Sequence, residues 1–229
     1  MCGIVGMIGN FDKASEQLRQ MNAAIRHRGP DQDGEFIDPK SPVWLGHRRL
    51  NILDLSQRAR QPMVRDGVVI TFNGEIYNFQ QLKEELEPEF CFQTTSDTEV
   101  LIYGYIKWGI PKLLDKIRGM FAFALYDRNL GKVFLVRDRM GEKPLFYLFN
   151  GSDRFAFSSE LKAFRYLEEA QQIDFNHLDL YFTLGYVPSP HCIIKNVTKV
   201  MPGQWLELSL ANFNFRTFTY WKIDPRQKK

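Results

Sequence analysis

Short apolar runs broken by Gly, Pro and Asn fill most of the chain, and two stretches carry a helical period instead. Residues 13–27 place Leu18, Met21, Ala24 and Ile25 on one face, and the pattern stops at Arg28-Gly29-Pro30-Asp31. Residues 96–108 predict a second helix, opened by Ser96 and Glu99 in capping-box spacing. Strand-like runs lie between them at 43–46, 50–53 and 68–72, and 112–118 reads as a short helix. MFAFALYD, KVFLVRD, PLFYLFN and RFAFSSE then follow one another across turns too brief for parallel crossovers, so antiparallel hairpins are expected. Phe121 to Tyr126 is apolar on both faces, so its sheet is covered on both sides. The result is an α+β layered architecture.

The style changes near Asp174. A helical stretch at 176–184, Pro188, Pro190 and a strand at 204–210 read as a C-terminal extension. The final RQKK reads as a solvated tail or a cut point. With 44 % hydrophobic residues among 229, a sizeable core can be buried. A net charge of +3, from 30 basic and 27 acidic residues, gives no basic stripe for nucleic acid or an anionic membrane. No apolar run approaches the ~18 residues of a membrane span, and the apolar start lacks the basic residues of a secretory signal. Three widely spaced cysteines fit a reducing cytosol better than a disulfide framework, and a cytoplasmic location is expected. The four histidines have no metal-ligand spacing, so no metal is expected.

Cys2 is small enough for the initiator methionine to be removed from in front of it. That would leave an α-amine, pKa about 7.7–8.0, beside a thiol of pKa about 8.5. One residue would then supply nucleophile and base. On position alone, a buried cysteine opening the first strand is the simpler reading.

The company it keeps points the other way. CGIVG at the start, RHRGPD at 26–31, GHRRLNILD at 46–54, FNGEIYN at 72–78 and SDTE at 96–99 resemble the class II glutamine amidotransferases, which belong to the N-terminal nucleophile hydrolases. Within them the match is nearest to the glutaminase domain of bacterial asparagine synthetases. MFAFALYD, RDRMGEKPLFY and FSSELKAF continue it to about residue 164. GYVPSP, MPGQWLEL and YWKID look like the segment that joins such a domain to its synthetase half.

The resemblance implies a four-layer αββα sandwich of two antiparallel sheets, with a glutaminase domain over 2–174 and an extension over 175–229 leading toward a synthetase domain. It implies Cys2 as nucleophile, with the Asn73 side chain and the Gly74 N–H forming an oxyanion hole. Arg49 would take the α-carboxylate of glutamine, Glu75 and Asp97 its α-ammonium, and the backbone of Ile52 and Leu53 would line the same pocket. Each residue has a plainer reading. Asn73-Gly74 suits a two-residue hairpin turn, Arg49 a surface charge, and Asp97 the first turn of a helix. Asp31, Arg137, Asp138, Arg139, Lys143 and Glu160 also fall in matching motifs and suit structural or interface roles. Met140 and Glu142 depart from the more usual RDRFGIKPL wording.

The reaction so implied is hydrolysis of glutamine to glutamate and ammonia with no cofactor. ATP and Mg²⁺ would serve only in a synthetase domain that amidates aspartate. A homodimer stays open as a further partnership. Three rival readings are a relative that amidates a carboxylate of a surface sugar, an idle, partner-supporting domain, and an N-terminal nucleophile hydrolase that acts on another amide.

Overall fold

In the computed structural model, which describes residues 1–224, two six-stranded antiparallel sheets lie face to face. The RQKK tail lies outside the described residues. Strand β1 (Gly3–Gly9) is followed by helix α1 (Ala14–Ala24), β2 (Gln32–Ile37) and β3 (Val43–Arg49). Next come β4 (Met63–Arg65), β5 (Val68–Ile76), α2 (Phe79–Leu86) and α3 (Asp97–Lys116). The hairpins β6 (Gly119–Asp127) with β7 (Lys132–Arg137), and β8 (Phe146–Phe149) with β9 (Arg154–Ser158), follow. Helix α4 (Leu178–Leu184), β10 (Val197–Lys199), β11 (Gln204–Ser209) and β12 (Phe215–Thr219) end the described chain.

The first sheet runs β10-β8-β9-β1-β3-β2 and the second β12-β11-β7-β6-β5-β4. Alternation along each strand builds three apolar layers. Ile4 and Ile8 of β1 and Val43 and Leu45 of β3 meet Val69, Ala122, Ala124 and Leu135 between the sheets. Val5 and Met7, on the opposite face of β1, lie under Leu18 and Met21 of α1. Ile70, Phe72, Phe121 and Phe123 pack under Leu82 of α2 and Val100 and Leu101 of α3. The αββα sandwich expected from the sequence is therefore present, and its strands past residue 174 belong to it: β10 extends the first sheet, β11 and β12 the second.

Several local expectations need correcting. Residues 50–53 are not a strand but a loop with Ile52 and Leu53 about half exposed, because polar anchors rather than apolar burial hold it. Asn73-Gly74 is not a hairpin turn; both residues sit inside β5, opposite Ala122 and Phe121 of β6. Glycine is needed there because a Cβ would come within 2.2 Å of the Met120 carbonyl, not because of a positive φ. The Ser96–Glu99 capping box does not close either. The Ser96 side chain accepts from the Thr98 N–H, while the Glu99 carboxylate turns back to the Gln93 and Thr94 amides and to Arg65. Helix α2 was not anticipated.

Helix α3 runs past the expected stop and absorbs the short helix expected at 112–118. It breaks at Gly109, whose φ of 72° and ψ of 170° are open to glycine and strained for any side chain, and Pro111 starts the second segment. A Cβ at Gly109 meets no obstacle beyond Pro111 at 4.0 Å, so only the backbone resists substitution. Gly109→Ala should therefore destabilise by about 1–3 kcal/mol. In urea unfolding, the midpoint should fall with the m-value unchanged.

Candidate functional site

Toward one end of the sandwich the layer between the sheets turns from apolar to polar. Along β3 the inward row reads Val43, Leu45, His47, Arg49; along β5 it reads Val69, Thr71, Asn73, Glu75. At that end a cleft is lined by Cys2, Arg49, Ile52, Leu53, Gly74, Glu75 and Asp97, together with Gln61, Phe72 and others. Seven of the eight residues singled out in the sequence thus line one cleft. Asn73 is buried next to Gly74 in the same strand.

Strand β5 explains why donors gather here. β4 pairs with it only from Val68 to Ile70, leaving the rest of that edge without a neighbouring strand. The Tyr77 N–H donates to the Arg118 carbonyl, so the odd-numbered amides of this stretch face β6 and the even-numbered ones face the open edge. The Phe72 N–H donates to Gln61 Oε1 at 2.7 Å, and the Ile76 N–H to Asp97 Oδ2 at 3.0 Å. The Gly74 N–H lies between them, on the cleft. Asn73 Nδ2 is buried and has no hydrogen-bond partner among the described residues. Asn73 Nδ2, a buried donor without a partner among the described residues, and the cleft-facing Gly74 N–H beside it suit a developing anion.

The Cys2 thiol faces Leu50, whose N–H donates to Sγ at 3.4 Å. Burial pushes the thiol pKa up, against smaller lowering effects from the Leu50 backbone, the amino-terminal charge and Arg49. The thiol is therefore protonated at neutral pH and needs a base before it can attack. Arg28 Nε donates to the Cys2 carbonyl at 2.9 Å and Nη1 to Glu160 at 2.9 Å, which fixes the backbone of the nucleophile. Met1 precedes Cys2, and Lys143 Nζ lies 3.3 Å from the Met1 Sδ.

Arg49 is buried. Its guanidinium donates to Gln32 Oε1 at 3.0 Å, to the Ser56 carbonyl at 3.3 Å and to the Asp54 carbonyl. Three of five N–H groups are thereby used, leaving two for a carboxylate. The 50–56 loop is held from further sides by Asp31, which accepts from the Asn51 N–H, and by Asp54, which accepts from Thr95. Asp97 is 4 % exposed, and its pKa is raised to about 6, first by burial, with Glu75 adding repulsion.

The other motif residues hold the frame. Asp138 accepts from the Met140, Glu142 and Lys143 amides where the chain crosses from β7 to β8 and so from one sheet to the other. Arg137 donates to the carbonyls of Gly141, Lys143 and Val200, and Arg139 to those of Leu114 and Ile117 at the end of α3. Gln61 was missed in the sequence, since a lone glutamine before a proline carries no signal until the open edge of β5 is seen. Among the described residues, no helix is long and apolar enough to cross a membrane, and no cluster of His, Cys, Asp or Glu is able to hold a metal ion.

Known proteins share this arrangement of elements. A family model described as a glutamine amidotransferase domain matches residues 1–221. A putative glutamine-hydrolysing asparagine synthetase 2 of Methanocaldococcus jannaschii is 39 % identical over 246 residues, which cover 97 % of this chain and 47 % of the relative. Glutamine-hydrolysing asparagine synthetase 1 of Bacillus subtilis is 37 % identical, with 99 % of this chain and 37 % of the relative covered. This chain thus spans less than half the length of these relatives. Among solved structures, the glutamine phosphoribosylpyrophosphate amidotransferase of B. subtilis superposes with a TM-score of 0.71 over 96 % of this chain and 49 % of its own, at 21 % identity, a likeness of fold.

A carboxylate whose pKa is raised in the folded state costs stability once pH exceeds its unfolded value. Asp97, at about 6 against an ordinary 3.8, costs nothing at pH 3 and progressively more from pH 4 to 6 and above. At pH 8 the cost is about 2–3 kcal/mol. Asp97→Asn keeps an acceptor for the Ile76 amide and removes the charge. Its Tm should rise by roughly 4–12 °C at pH 8 and hardly change at pH 3.5. A lower Tm at pH 8 would show that the ionised form is stabilised where it stands.

Proposed function

The chain belongs to the class II glutamine amidotransferases, and from that we propose that Cys2, once Met1 is removed, hydrolyses glutamine to glutamate and ammonia in the cleft between the two sheets. The observation that carries the proposal is the Asn73 amide, without a partner among the described residues, next to the cleft-facing Gly74 N–H and beside a thiol at the start of β1. The freed α-amine of Cys2 takes the thiol proton, which the buried thiol does not release unaided. The thiolate attacks the δ-carbonyl carbon, and the oxygen, now negative, is received by Asn73 Nδ2 and the Gly74 N–H. Collapse of this intermediate breaks the C–N bond, the α-ammonium returns its proton to the leaving nitrogen, and ammonia departs. Water, deprotonated by the same amine, hydrolyses the thioester to glutamate and restores the thiol.

The free amino acid is read at its other end. The two remaining N–H groups of Arg49 suit an α-carboxylate, and Glu75 and Asp97 suit an α-ammonium. A peptide-bound glutamine has neither charge. The backbone of Ile52 and Leu53 closes the same side of the cleft. Because the curated relatives are named as glutamine-hydrolysing asparagine synthetases, the ammonia is assigned to a synthetase domain that amidates aspartate, with ATP and Mg²⁺ bound in that half. The strands and loops after residue 174 lead toward it.

Cys2→Ala should lower glutaminase turnover by roughly 10⁴-fold or more, with the circular dichroism spectrum and Tm close to wild type. The intact mass of the active form should lack methionine, and a glutamine-analogue electrophile should label one thiol per chain. Activity in a form that retains Met1 would remove the mechanism. Arg49→Ala should raise KM for glutamine by roughly 30- to 100-fold, since a charge-assisted bond to a carboxylate is lost in ground and transition states alike. An unchanged KM with a lower kcat would show that Arg49 does not hold the head group.

A further inference from the structure

His47 and Thr71 are both wholly buried, and they join the two sheets one register step inward from the site. His47 Nδ1 lies 3.0 Å from Thr71 Oγ1, and the Thr71 hydroxyl donates to the Gly46 carbonyl at 3.2 Å. With its proton directed to Gly46, the hydroxyl oxygen accepts from His47, which places the imidazole hydrogen on Nδ1 and leaves Nε2 bare. Nε2 is buried and has no hydrogen-bond partner among the described residues. Burial, with the Arg49 charge adding to it, holds the His47 pKa down to about 3, so the ring stays neutral throughout the working range.

The placement of this pair matters because the cleft is divided between the sheets. Cys2 and Arg49 belong to the β1–β3 side; Asn73, Gly74 and Glu75 are on β5, and Asp97 begins the helix packed on that sheet. Arg49 is two residues beyond His47 on β3, and Asn73 two residues beyond Thr71 on β5. We infer that His47 is a positioning residue: clamped to Thr71 through Nδ1–H, it fixes the separation between the half of the site that attacks and the half that receives the oxyanion. The inference rests on the glutaminase reading of the same cleft.

Loosening the clamp should affect the two stages of the reaction unequally. Free glutamine has several rotatable bonds and adapts to a cleft that is slightly wider or narrower. The tetrahedral intermediate is bonded to Cys2 Sγ, so its oxygen sits at a fixed place and meets the β5 donors only at the right separation. An error of about 1 Å there costs on the order of 100-fold in rate. The loss therefore falls on kcat rather than KM.

Substitution separates the two ring nitrogens. Asparagine places an N–H where Nδ1 stands, whereas glutamine reaches the place of Nε2. Kinetics of glutamine hydrolysis should be measured for wild type, His47→Asn, His47→Gln, Thr71→Ser and Thr71→Val, with rates expressed per site titrated by the glutamine-analogue electrophile. That normalisation removes molecules that fail to fold. His47→Gln and Thr71→Val should lose roughly 10- to 100-fold in kcat with KM within about threefold, while His47→Asn and Thr71→Ser stay within about threefold of wild type in both. Equal kcat per titrated site in all five proteins would reduce the pair to packing and overturn the inference, as would a His47→Asn variant impaired as badly as His47→Gln. Failure of the wild type itself to hydrolyse glutamine or take the label would instead strike the glutaminase reading.

Discussion

Strand β5 is longer than the neighbour that covers its edge, and the site follows from that mismatch. A buried strand edge must find partners for its amides, since each one left bare inside the protein costs roughly 1–3 kcal/mol. β4 satisfies the first part of the edge, and the Gln61 side chain and the Asp97 carboxylate satisfy Phe72 and Ile76. Gly74 is the gap in this series. Its missing Cβ lets β6 approach closely enough for the Met120 carbonyl to pass, so the strand stays straight and its N–H stays aimed into the cleft. The partners that close the edge on either side are also walls of the cleft, so edge satisfaction and site construction are one problem.

The same arrangement explains why the cleft is a costly place in the fold. It collects a thiol that burial keeps protonated, a carboxylate with a raised pKa, an arginine shared between a side chain and loop carbonyls, and an amide donor without a partner among the described residues. Each is unfavourable for stability taken alone, and apolar packing on both sides of the layer offsets them. Such a concentration of perturbed groups in one concave place is the physical signature of a functional site. Glu99 shows the contrast. It is equally buried near the start of the same helix, but Arg65, the Gln93 and Thr94 amides and the Thr94 hydroxyl meet its carboxylate fully. Asp97 has only backbone amides against its charge and faces the cleft.

Alternation and spacing were enough to read the layered fold, because the hairpins β6–β7 and β8–β9 close across short turns and their strands are apolar on both faces. What the sequence hid was decided by tertiary partners. Asn73-Gly74 has the composition of a hairpin turn, yet the strand continues because β6 runs alongside through Gly119. Ile52 and Leu53 look like a strand, yet Asp31, Arg49 and Asp54 hold their backbone as a loop. Of the candidate site, Cys2, Arg49 and Asp97 were legible only as members of a motif set; no local rule raises a buried arginine above a surface one. Gln61, the His47–Thr71 clamp and the hold of Arg28 on the Cys2 carbonyl depend on contacts between elements far apart in sequence, and no pattern of spacing carries them.

The loop at 50–56 links these themes to ligand binding. Two of its carbonyls, those of Asp54 and Ser56, are bound to the Arg49 guanidinium, so the loop and the arginine set each other's position. A ligand carboxylate engaging the two remaining N–H groups enters a guanidinium already oriented, which spares part of the entropy of fixing a long side chain. Ile52 and Leu53, about half exposed, then stand beside the ligand without a polar demand of their own. In the proposed reading the α-carboxylate is thereby met from the β3 side, together with the nucleophile, while the α-ammonium and the charge that develops in the reaction are met from the β5 side. The two sheets are bonded across the interior at His47 and Thr71, so the accuracy of that meeting is set inside the core, one step behind the chemistry.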